Sequence, residues 1–296
     1  MLAIYKKEMK QFFISMIGYA FIAFLLLVVG FCFYYVNVKN ASPFVGYSFD
    51  VPYIPMIFLI LVPVITMKLF ADEKATKTDQ ILFTAPVTIA DIVWGKFLAV
   101  ATIFTIPVII MCSFPLVLKD FASENIDFPM INSYVAILGF WLMGLTYFAI
   151  GLYISSIVDN QVISAVVTFA VLFFSFVAQY FAEILPATEI TGLAGVIIVI
   201  ILIALVYFFL LRGLRSTPFV TLIIVAVGIT AAVIIYVINS SLYTNVLQNI
   251  LYALSIDHNL DDYLLDYFDI PALLYNISII GVALYLTTQS IQKRRG

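Results

Sequence analysis

The sequence predicts an all-α, polytopic helical membrane protein with about eight transmembrane helices and an N-terminal interfacial helix. Three observations carry that prediction. First, of 296 residues, 64% are hydrophobic and only 10% are Asp, Glu, Lys or Arg, against about 25% charged in ordinary soluble domains. Second, mean hydropathy is +1.14, and a water-soluble fold of this size needs far more polar surface over its core. Third, apolar runs such as GVIIVIILIALVYFFLL (195–211) do not alternate apolar with polar as barrel strands do, so helices are expected. A soluble enzyme and a disordered chain are thereby excluded. A formal net charge of −3 leaves no global basic field for nucleic acid.

A helix crossing the hydrocarbon core needs about 20 apolar residues. Such runs occur at 16–36, 53–70, 92–118, 131–156, 161–181, 191–211, 218–238 and 271–291. The first is too long for a signal-peptide core and lacks a clear small-residue cleavage site, so it is expected to be retained. Eight spans put both termini on one side, and the positive-inside rule selects the side. With the N-terminus in the cytoplasm, Lys6, Lys7, Lys10, Lys68, Lys74, Lys77, Lys96, Arg212, Arg215, Lys293, Arg294 and Arg295 fall inside, and only Lys39 and Lys119 fall outside. The expectation is a multi-pass protein of the cell inner (plasma) membrane with both termini cytoplasmic, the chain 1–296 forming a single transmembrane domain.

Three segments outside the lipid are substantial. In residues 1–16, Ile4, Met9, Phe12, Phe13 and Met16 fall on or near one helical face, with Lys6, Lys7 and Lys10 mostly opposite. That pattern suits an elbow helix lying on the inner leaflet. The loop 71–91 holds a cluster of charges and two helix signals: Thr76 or Thr78 as the cap of a short helix through Phe83, ended by Pro86, and Thr88 with Asp91 as a capping box. Apolar Ile81, Leu82 and Phe83 on that short helix meet either a partner or the chain's own bundle. In the outer segment 239–270, Val246, Leu247, Ile250, Leu251 and Leu254 recur at helical spacing, as an amphipathic helix at the outer interface does.

Familiar chemistry is missing from the sequence. No G-x-x-x-x-G-K-[ST] nucleotide loop, H-E-x-x-H or G-x-S-x-G occurs. His258 is the one histidine, which excludes His-pair metal sites and His-based triads, and it reads as a solvated loop residue. The middles of the spans carry almost no charge, which argues against a proton pump or voltage sensor. Pro63, Pro107 and Pro115 are expected within spans two and three, where each removes a backbone donor and is read as static packing in preference to a hinge. Cys32 and Cys112 read as packing residues, not as a bridge.

MKLFADEKATKTDQILFTAPVTIADIVWGKFLA (67–99) resembles the first cytoplasmic loop of bacterial ABC-type export permeases of the type-two class, and most closely the gliding-motility permease branch. The shared elements are Leu69-Phe70-Ala71, Glu73, Thr78-Asp79, Leu82, Thr84, Pro86-Val87 and Gly95-Lys96-Phe97. IYKKEMKQFF (4–13), GLYISSIVDNQVISAV (151–166) and FDIPALLYNISIIGVALYLTTQSIQKRR (268–295) resemble the family's elbow, its fourth-to-fifth span junction and its closing span. The chain departs from the family in an additional helix pair at 191–238 and in Lys77, which stands where the family usually has glycine.

The resemblance implies the transmembrane subunit of an ATP-binding-cassette exporter. Two permease subunits, identical or related, would form the pathway, and separate ATPase subunits would bind ATP and Mg and dock below. The helix at about 76–84 would be the coupling helix, with Glu73, Thr78, Asp79, Ile81, Leu82 and Phe83 as ATPase-subunit contacts. No cofactor, catalytic residue or metal ligand is expected in this chain, nor a nucleic-acid partner. The alternatives are a membrane-embedded lipid-modifying enzyme, for which His258 with Asp261 and Asp262 is the only outer candidate, and an ion-coupled secondary transporter.

Overall fold

The computed structural model describes residues 1–78, 87–121, 129–210, 217–264 and 268–295, and no strand occurs among them. In chain order the helices are α1 (Leu2–Ile14), α2 (Ile17–Phe33), α3 (Tyr53–Thr66), α4 (Ala71–Ala75), α5 (Ile89–Met111), α6 (Phe114–Phe121), α7 (Met130–Ile157), α8 (Gln161–Ile184), α9 (Glu189–Leu210), α10 (Thr217–Ile238), α11 (Val246–Leu254), α12 (His258–Leu264) and α13 (Ile270–Arg295). Among the described residues seven stretches are long and apolar enough to cross a membrane: Ile17–Lys39, Tyr53–Ala75, Ile89–Asp120, Met130–Ile157, Gln161–Ile184, Phe219–Ile238 and Ile270–Arg294. Glu189–Leu205 adds a shorter apolar helix. The eight expected runs therefore all fall on helices, as a polytopic all-α membrane protein requires.

The residues gather into two compact units, Met1–Phe176 with Ile256–Gly296, and Val177–Ser255. In lipid, helices gain little from hydrophobic burial against each other, so close packing must hold them. The first unit achieves this with rings. Phe58 of α3 packs on Phe104 of α5 and on Phe140 and Tyr147 of α7, with centroids 5.5–5.6 Å apart. Phe104 also meets Phe140 and Phe148 at 5.7 and 5.6 Å. Edge and offset contacts of this kind add about 0.5–1.5 kcal/mol each beyond area burial. In the second unit α9 lies along α10, where Gly228 makes room for Ile200.

Two local features depart from the expected spans. The third run is not one helix: α5 stops at Met111, Cys112 and Ser113 turn, and α6 begins at Phe114. Pro115 therefore sits in the first turn of α6, where an N–H has no intrahelical partner to lose, and it kinks nothing. Pro63 and Pro107 do lie inside α3 and α5, and both are buried in packing. At the end of α2 the chain widens into a π-helix, Tyr34–Lys39. Buried Asn37 accounts for it, donating from Nδ2 to the carbonyls of Ser42 and Phe44 at 3.0 and 2.7 Å and pairing with Ser48. Both cysteines are free thiols.

The outer segment divides. The expected amphipathic helix 246–254 forms as α11, with no buried residue. The helix that follows, α12, packs lengthwise on α7, burying Leu260 and Tyr263. Gly139 of α7 makes this possible, since a Cβ there would lie 2.6 Å from the Tyr263 ring.

Candidate functional site at the root of the 71–91 loop

The loop 71–91 leaves the bundle through α4 and returns through α5, and both ends are fixed by specific bonds. At the return, Thr88 is the N-cap of α5: its Oγ1 accepts from the Asp91 N–H at 3.1 Å and donates to Asp91 Oδ2 at 2.6 Å. The capping box read from sequence is thus the start of α5. At the exit, the Phe70 and Ala71 N–H groups donate to Ser155 Oγ of α7 at 3.2 and 3.1 Å. These are donors that a helix start leaves unsatisfied, and Ser155 supplies the acceptor.

The end of α4 closes in a Schellman turn. The Thr78 N–H donates to the Glu73 carbonyl at 2.9 Å, and the Lys77 N–H to the Lys74 carbonyl at 3.1 Å. Lys77 is left-handed, φ 57, the conformation that makes glycine the usual residue at this position. Thr76 therefore ends a helix, and Thr78 lies in the turn, its hydroxyl 3.0 Å from that of Thr76. Asp79, Ile81, Leu82 and Phe83, the remaining expected contacts, lie outside the described residues.

Glu73 and Lys74 send the two sides of α4 into separate networks. Glu73 turns inward and is 8% exposed. Its Oε1 accepts from Lys7 Nζ at 2.6 Å, and its Oε2 lies 2.9 Å from Lys96 Nζ in an ionic contact. Lys96, fully buried on α5, also donates to Glu8 Oε1 at 2.9 Å and to the Leu69 carbonyl at 2.6 Å. Two lysines and two glutamates thus balance to neutrality, as buried charges must. Burial opposes the Lys7 charge, but the Glu73 and Glu8 carboxylates outweigh it and hold the ammonium above the usual lysine range. On the other side, Lys74 Nζ donates to the Ser156 and Val158 carbonyls and lies 3.6 Å from Asp159. Asp159 accepts in turn from Arg294 at the end of α13. Its carboxyl is held below the usual carboxylate range, by the Arg294 hydrogen bond first.

The placement of Glu8 explains the fate of the elbow helix. Ile4, Glu8 and Phe12 form its buried face, and that face packs on α5. Lys6, Lys7 and Lys10 are exposed as the amphipathic pattern requires, but Met16 is 74% exposed and lies off the buried face. Three charged groups away from the middles of the spans are nevertheless buried: Lys96, Glu8 and Asp257, at 0%, 3% and 5% exposure. The available signal was Glu8 itself, an acid four residues from Ile4 and from Phe12 on an apolar stripe. His258 is the first residue of α12, its side chain 37% exposed and 3.7 Å from Asp261. Among the described residues no group of three His, Cys, Asp or Glu is placed to hold a metal ion.

A bundle of apolar helices with a charged, doubly anchored loop root defines a multi-pass membrane protein. The family description "ABC-2 family transporter protein" matches residues 36–189, just over half of the chain, and the chain belongs to that family. The match runs from the end of the first span through α8 and contains the whole loop, whereas α10 to α13 lie beyond it. A search of curated proteins found no match.

Proposed function

We propose that this chain is the pathway-forming subunit of an ABC exporter, driven by separate ATPase subunits that dock on residues 76–84. The observation that supports the reading is the double anchoring of α4, through Glu73 to α1 and α5 and through Lys74 to α7 and α13. A push on the docking segment then reaches two sides of the bundle at once, because α4 at its base is short, closed at both ends and bonded on both faces. Ile81, Leu82 and Phe83 supply the apolar contact and Asp79 and Thr78 the polar ones. Glu73 serves that contact from behind, by fixing the base of the helix.

In this reading ATP and magnesium belong to the partner subunits, and this chain needs no cofactor. Both termini and the 71–91 loop face the cytoplasm of a bacterial cell, since 12 of the 14 basic residues then fall on the inner side of the inner membrane. A second permease subunit completes the pathway, and the resemblance of the loop motif supports kinship with the gliding-motility branch. Purification of the full chain from its own membranes tests the proposal: an ABC ATPase should co-purify, and the chain stripped of it should hydrolyse no ATP. Recovery of the intact chain with no ATP-binding partner, under conditions that keep membrane complexes together, contradicts it.

A further inference from the structure

Asp257 lies in the short connection that precedes α12, and its carboxylate is 5% exposed. An Asp in this position ordinarily turns back to cap its own helix. Here Oδ1 instead accepts from the Tyr147 hydroxyl of α7 at 2.6 Å, while buried Oδ2 has no hydrogen-bond partner. No described lysine or arginine pairs with it. The other titratable groups around it are Tyr275 of α13 and, on α12, Asp261 with His258 beside it. Tyr147 is ten residues from the Ile157 end of α7 (157 − 147 = 10) and 17 from the Met130 end (147 − 130 = 17). At 1.5 Å per residue those distances are about 15 and about 26 Å, so the carboxylate reaches the interior of a spanning helix.

An ionised carboxylate held this way, with one donor and no cation, costs several kcal/mol of uncompensated desolvation. Two events remove the cost: a proton binds, or the segment leaves for water. We infer that Asp257 is a proton-binding site that keeps α12 seated along α7 when protonated and releases it when ionised. Oδ2, the oxygen without a partner, takes the proton from water or a buffer acid and returns it on release. Burial pushes this carboxyl up to about 7, against the Tyr147 hydrogen bond, which favours the ionised form. The site does not depend on the transport reading, and its test reads this chain alone.

The experiment is a pH titration of the full chain in lipid nanodiscs, from about pH 4 to about pH 8.5, following amide exchange at 258–264 relative to Asp257→Asn at each pH. The amide side chain imitates the protonated acid, so division by the variant removes the intrinsic pH dependence of exchange. The ratio should be near unity at about pH 4, rise about tenfold per pH unit above the carboxyl's ordinary value of about 3.9, the slope of one linked proton, and level off with a midpoint at the seated value of about 7. Tyr147→Phe removes the donor that favours ionisation and should move the midpoint to higher pH. Infrared difference spectra should show a protonated carboxyl band that titrates in the native chain; if Asp257→Asn does not fold, this band and the Tyr147→Phe shift decide. A flat ratio, a Tyr147→Phe midpoint that does not move, or a carboxylate ionised throughout overturns the assignment.

Discussion

The Lys96 ammonium lies 2.9 Å from Glu8 Oε1 and 2.9 Å from Glu73 Oε2, joining α1, α5 and the start of the loop around one buried charge. Removing that charge alone leaves two buried carboxylates with only the half-exposed Lys7 between them. Lys96→Met should therefore lower stability by about 3–5 kcal/mol, the usual cost of breaking a buried pair from one side. The triple variant Glu8→Gln, Glu73→Gln, Lys96→Met should recover most of the loss. Thermal unfolding of the three proteins, native, single and triple variant, in one lipid or detergent checks this; equal losses in the single and triple variants would show that the ion pairs are not coupled.

Ser155 offers one oxygen to two backbone donors, Phe70 and Ala71. Ser155→Ala leaves both N–H groups buried without an acceptor, at about 1–3 kcal/mol for each unsatisfied group. Amide exchange at Phe70 and Ala71 should accelerate first, before any change in α7. Unchanged protection at those two amides contradicts the capping role.

Lys77 holds a left-handed conformation that costs a residue with a Cβ about 1–2 kcal/mol. Lys77→Gly relieves that cost, offset by about 0.5–1 kcal/mol of extra chain entropy in the unfolded state. The net expectation is neutral to about 1 kcal/mol more stable, whereas Lys77→Val should be destabilising. Unfolding midpoints of the two variants in the same detergent test the sign.

Thr88→Ala removes both bonds to Asp91 and should cost about 1 kcal/mol, typical for loss of an N-cap. Thr88→Ser should keep most of it. Proteolysis within the loop, which needs local opening at its ends, reads the difference.

The contrast between Thr88 and Glu8 shows what the sequence could disclose. The capping box is a bond across three residues, so its signature is local and the start of α5 was legible. The same holds for the apolar runs, the amphipathic 246–254 helix and the two unpaired cysteines. Glu8 meets Lys96 across 88 positions and Lys7 meets Glu73 across 66, and no local pattern specifies such partners. The loop motif gave Glu73, but as a contact for another subunit; only the fold turns it toward Lys7 and Lys96. The packing of α12 on α7 was hidden for the same reason, since Gly139 and Tyr263 lie far apart in the chain. The break at Cys112 and Ser113 was hidden by continuous hydropathy, which reports polarity and not backbone direction.

ATP hydrolysis by the co-purified assembly, measured for the native chain and for Leu82→Asp with Phe83→Asp, tests the central claim most directly. The account predicts that the double variant folds with native stability yet loses the ATPase subunits or uncouples hydrolysis from transport. Native binding and native coupling in that variant would contradict it.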